Sequence, residues 1–157
     1  ADVTGVQTCA LPILAAMDLA ARDLRSIGLT VFHTSWEQLP LGAAWEAFSA
    51  EERRYGVHGG EIETSMMLAL APELVDMSKA QNFASTSEQR ATNYPILGNG
   101  RSAKLGWHIQ DYNPQGAVGN AAAATAAKGA AVVKSAGEQL AKLLQELMDL
   151  PLNTVRT

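Results

Sequence analysis

A single cysteine, Cys9, stands in 157 residues, so the chain can build neither an intrachain disulfide nor a thiolate metal cluster, and that usage suits a reducing cytoplasm. A positive field is also lacking. Twelve Lys and Arg against 16 Asp and Glu leave a formal charge of -4 and a pI near 5.3, and the basic residues are scattered rather than striped. That balance argues against nucleic acid or an anionic membrane as partner. No window approaches the roughly 18 uninterrupted apolar residues of a membrane span. What is present is the composition of one globular domain with one core: 47% hydrophobic and 18% charged residues, 13 Gly and 6 Pro.

The first residues need separate treatment. "CALPILAAM" has the apolar character of a signal-peptide core, but no Lys or Arg precedes it and the chain opens at Ala1 without an initiator methionine. "VTGVQTCALPI", residues 3–13, back-translates with suitable codons into the adapter oligonucleotide ligated to DNA fragments for short-read sequencing. Residues 1–13 are therefore read as carried-over adapter and 14–157 as natural sequence, cut at its 5′ side; Cys9 then has no biological meaning.

Beyond residue 14 the pattern becomes regular. "LAAMDLAARDLRSIG" sets Leu14, Met17, Ala21 and Leu24 at helical spacing with Gly28 as a stop. "LTVFHT", 29–34, follows as a short β-rich stretch, apolar on both parities, which predicts a buried parallel strand. Residues 36–54 read as loop with short helical pieces, and "EERR" at 51–54 as a solvated charged face. A helix is expected in "ETSMMLALAPELVDM", from Glu63 through about 70–75 with Pro72 as a break, a short strand within 79–83, another in "GWHIQDY", and a turn over 113–119. The last third predicts one long helix: Asn120 as N-cap, a stripe of Val132, Leu140, Leu143, Leu144 and Leu147, and Pro151 as its end. Gly129 and Gly137 each cost it about 1 kcal/mol relative to Ala, which predicts close packing at both. Helix, glycine turn and buried strand in that order predict an α/β layered fold.

The chemistry concentrates in "YGVHGGEIETSMMLAL". His58 precedes a helix on a loop freed by Gly59 and Gly60, and Glu61 and Glu63 occupy its first turn, about 200° apart, so the two carboxylates must face different partners. A Glu and a His can bind a divalent ion and shuttle a proton. Equally, two glutamates in a first turn meet the positive end of the macrodipole, and a loop histidine is often a hydrogen-bonded surface residue. Spacing leaves both readings open. Ser65 lacks a nucleophile elbow and reads as helix packing; "GNGRSAKLG" lacks the G-K-[ST] ending of a phosphate loop; His33 and His108 read as packing histidines.

"HGGEIETSMMLALAPELVDM" resembles the signature segment of the creatininase family of metal-dependent amidohydrolases, an H-[AG]-G-x-x-E-T-S stretch followed by L-x-P-x-L-V. "LAAMDLAARDLRSIGLTVFHTSW" is similar to that family's helix, strand and tryptophan-bearing loop, and "GAVGNAAAATAAKGAAVV" to its closing helix start. The resemblance implies a three-layer α/β/α fold with a parallel sheet, truncated here, and two divalent ions, zinc or manganese, whose activated water attacks a C–N bond. It implies His58 as the residue handling protons at the leaving nitrogen, Glu61 as an acid turned to the metal, Trp36 as a loop residue over substrate, and Glu63 as structural beneath the site. A homo-oligomer acting on a small-molecule amide is implied as well.

Two departures matter. The family's upstream ligands, an E-x-H…D segment and a histidine-glycine turn, have no counterpart in these residues, so the chain is expected to be an inactive portion of its parent, with a partial parallel sheet whose 29–34 strand is left with an unpaired edge. Arg54 stands four residues before His58, where creatininases proper place a tryptophan, so a different amide, a formamide or a lactam is expected rather than creatinine. The alternative is a small α/β binding or subunit-contact module without catalysis.

Overall fold

The structure, a computed structural model, describes residues 10–151, 153 and 154. Cys9 and most of the expected adapter segment lie outside those residues. The chain divides into two compact units, one of residues 1–42 with 134–157 and one of residues 43–133.

In the first unit, helix α1, Ala10–Ser26, ends where expected. Gly28 takes φ 92° and its N–H closes onto Arg25 O at 3.1 Å, a conformation that glycine adopts without a Cβ penalty. The expected parallel strand at 29–34 does not form. The stretch carries no regular secondary structure, Leu29, Val31 and Phe32 are exposed, and among the described residues no backbone hydrogen bond joins 30–34 to another segment. A strand exists only through its partner, and a β-rich sequence cannot supply one for itself. Trp36–Gln38 forms a single 3-10 turn.

The second unit carries the described sheet. Short helices α2, Ala43–Glu46, and α3, Ala50–Tyr55, lead to α4, Glu61–Leu70. Ser49 caps α3, its hydroxyl accepting the Glu52 N–H at 3.0 Å. Helix α4 stops at Leu70, and Pro72 restarts the chain as the first residue of a 3-10 turn, Pro72–Leu74, where its missing N–H costs nothing. Strand β1, Asn82–Phe83, follows, then helix α5, Thr86–Asn93. Strand β2, Gly119–Asn120, pairs antiparallel with β1, Asn82 opposite Asn120 and Phe83 opposite Gly119. "GWHIQDY" is not a strand: Ile109–Asp111 is a 3-10 turn, closed by the Asp111 carboxylate accepting the His108 N–H at 2.8 Å.

The long helix, α6, Ala126–Asp149, starts six residues after the expected cap. Thr125 is the cap, its hydroxyl accepting the Lys128 N–H at 3.3 Å, while Asn120 belongs to β2. Of the expected stripe, Val132 is fully buried, Leu143 and Leu147 are half-buried, and Leu140 and Leu144 are exposed. The two glycines of α6 differ. A Cβ on Gly129 would overlap the Ser65 carbonyl and lie 2.7 Å from Met66 N, whereas one on Gly137 meets nothing within 4 Å. Of the two glycines, Gly129 is the one that marks a close approach of α6 to α4. Around that contact lies the core of the unit: Phe48, Ile62, Ile109, Val118, Ala121, Ala124 and Val132.

Candidate functional site

His58 sits on the two-glycine turn that enters α4, as its sequence predicts. Gly59 takes φ 63°, and the backbone of His58 forms an isolated bridge with Val118: Val118 N–H donates to His58 O at 2.7 Å and His58 N–H to Val118 O at 3.2 Å. The imidazole is half-buried. The histidine is thus held through its main-chain N–H and carbonyl, and no hydrogen bond among the described residues takes up its ring.

Glu61 and Glu63 face different partners. Glu61 is 4% exposed, and its Oε1 forms an ion pair with Lys128 Nζ from the first turn of α6. The ammonium also lies 5.5 Å from the centre of the Phe48 ring, a cation–π distance. Glu63 is half-buried, and burial pushes its carboxyl above the ordinary value of 4.5; the Glu52 charge adds to the rise, while the amides of Glu63 and Gly60 and the charge of His58 oppose it.

The largest surprise is Glu52. Read from sequence as part of a solvated face, it is 5% exposed, whereas Glu51, Arg53 and Arg54 around it are exposed. Its Oε1 accepts the Glu61 N–H at 2.6 Å and its Oε2 accepts the Asn120 N–H at 2.7 Å. Three glycines close over it: a Cβ on Gly56 would stand 2.9 Å from Oε1, one on Gly119 2.7 Å, and one on Gly60 would overlap it. Charge-assisted bonds to backbone amides satisfy the buried carboxylate, and only glycines could approach it so closely.

Lys128 falls in the first turn of α6, where the macrodipole disfavours a cation, only once the structure sets the cap at Thr125. One signal in the sequence points to Glu52. Ser49 and Glu52 have the S-x-x-E spacing of a capping box; here the glutamate leaves the box and turns inward.

Trp36 stands in the first unit, half-buried in its 3-10 turn. Ser65 is fully buried, its hydroxyl accepting the Thr125 N–H at 3.1 Å, as helix packing predicts. In the first unit His33 Nε2 lies 3.7 Å from Asp18 Oδ1, with Nδ1 buried and unpartnered. His108 is exposed and serves the turn through its backbone. Among the described residues no three His, Cys, Asp or Glu side chains gather closely enough to hold a metal ion. With Glu61 committed to Lys128, the donors of these residues do not make a metal site by themselves.

The family model described as creatinine amidohydrolase matches residues 14–144. Among solved structures, a candidate creatinine amidohydrolase from Bacteroides fragilis NCTC 9343 is similar at TM-score 0.66 and 24% identity, over 97% of this chain and 64% of that one. The chain thus spans less than two thirds of that relative, and at this identity the likeness speaks for the fold. No protein of curated function matches.

Proposed function

The chain belongs to the creatininase family, and on that premise we propose that it is the C-terminal portion of an amidohydrolase that cleaves a C–N bond in a small amide, formamide or lactam-like substrate. Amidohydrolase activity follows from the family, which generally uses divalent metal ions. The finer reading is ours: a three-layer parent with a parallel sheet that continues beside 29–34, two ions of zinc or manganese, a homo-oligomeric assembly and a cytoplasmic setting. No helix of the described residues is long and apolar enough to cross a membrane.

The observation that carries the proposal is the placement of His58. A proton-handling residue must be held in position without having its ring consumed by the hold, and the His58–Val118 bridge does this through main-chain bonds. The bound metal ions would supply the activated water in the parent. No complete ligand set exists among the described residues, so the ions would rest on residues from upstream sequence. The reading of a substrate other than creatinine rests on Arg54 standing where creatininases proper place a tryptophan.

The test is the upstream DNA. Reassembled without the adapter, the locus should recover a frame with E-x-H…D and a histidine-glycine turn, and the rebuilt parent should hydrolyse small amides. His58→Ala in that parent should lower kcat on the order of a hundredfold or more, the usual scale of acid–base assistance, with metal content unchanged. An unrelated upstream frame, or full turnover by the His58 variant, would refute the proposal.

A further inference from the structure

Two backbone donors, one on each side of the His58–Val118 bridge, converge on one side chain outside the turn. On one side of the His58–Val118 bridge, Glu61 donates its N–H to Glu52 Oε1 at 2.6 Å. On the other, Asn120 donates to Oε2 at 2.7 Å. Gly56 and Gly60 flank His58, Gly119 follows Val118, and all three pack against the same carboxylate. We infer that Glu52 is the positioning residue of His58: its buried carboxylate clamps both strands of the bridge and so sets where the imidazole points.

The chemistry of the clamp explains why a carboxylate is needed. Two convergent N–H donors require two acceptor atoms, and an ionised carboxylate supplies both without a donor of its own. One of the two donors is the first N–H of α4, an orphan group at the positive end of a helix, where an anion is favoured. A glutamine would fit the volume but would turn an NH2 toward one of the donors. The glycines fit the same account, since a methyl group on Gly60 would occupy the place of Oε1 and come 3.0 Å from Gly119 Cα. Glu52 touches neither substrate nor reacting atoms in this reading; it acts through the loop.

The inference gives His58 its function from the amidohydrolase reading, but its test uses no turnover. In the full 157-residue chain, ring ¹⁵N and ¹H resonances of His58, His33 and His108 are recorded for wild type and Glu52→Gln. The expected result is a displacement of the His58 ring signals and of the Glu61 and Asn120 amides, with His33 and His108 unmoved. Glu52→Asp, which keeps both acceptors on a shorter arm, should displace the same signals less, and it carries the test if the Gln variant does not fold. A folded Glu52 variant with unmoved His58 ring signals would overturn the inference. Displaced signals in a parent that hydrolyses no amide would sink the amidohydrolase reading and leave the clamp standing.

Discussion

Gly129 and Gly137 lie in one helix, two turns apart, and should respond to the same substitution with opposite sign. Alanine is favoured over glycine in a helix interior by about 1 kcal/mol. At Gly137 nothing lies within 4 Å of the new methyl group, so Gly137→Ala should stabilise by about that amount. At Gly129 the methyl group meets backbone: it overlaps the Ser65 carbonyl and sits 2.7 Å from Met66 N. Backbone cannot rotate aside, so α6 must move off α4, at the upper end of the ~1–3 kcal/mol typical of overpacking. Separation also strains the Ser65–Thr125 hydrogen bond of 3.1 Å, worth about 1 kcal/mol. After the helix gain is subtracted, Gly129→Ala should destabilise by about 2–3 kcal/mol. The two variants should differ by about 3–4 kcal/mol, or roughly 6–16 °C in Tm at ~2–4 °C per kcal/mol. Thermal and urea unfolding followed by circular dichroism measures both. Equal effects, or a neutral Gly129→Ala, would refute the packing of α6 on α4 at this glycine.

Two further perturbations address the buried charges. Glu63, raised above 4.5 by burial, contributes stability that is present below 4.5 and is lost as pH rises through its higher folded value, because the folded chain then loses a proton it holds more tightly. Glu63→Gln should therefore stabilise at neutral pH and flatten the decline between acid and neutral conditions in urea titrations; an unchanged pH profile would contradict the burial. Lys128→Met should cost about 3 kcal/mol by stranding the Glu61 charge, and adding Glu61→Gln should restore much of the loss in a double-mutant cycle. Additive effects would separate the two residues.

Signals carried by near neighbours in the chain were legible without a structure. The Gly28 stop, the Pro72 restart, the first half of the expected 113–119 turn, closed by Gly116 N–H onto Asn113 O, and the two-glycine entry to α4 each depend on residues a few positions apart, whose φ and hydrogen-bonding preferences travel with them. Divergence of Glu61 and Glu63 followed from helical geometry alone, and the signature around His58 identified the family that the match over 14–144 bears out. What remained closed depends on partners far along the chain. Glu52 reads as surface until its carboxylate meets Asn120, 68 residues away, and Lys128 reads as an ordinary helix lysine until it meets Glu61, 67 residues back. The two helix glycines both lie inside one helical pattern, and what separates them is what packs against each. The β-rich stretch 29–34 shows the converse: local preference can prescribe an extended backbone, but pairing requires a second strand, and only the tertiary structure decides whether one lies alongside.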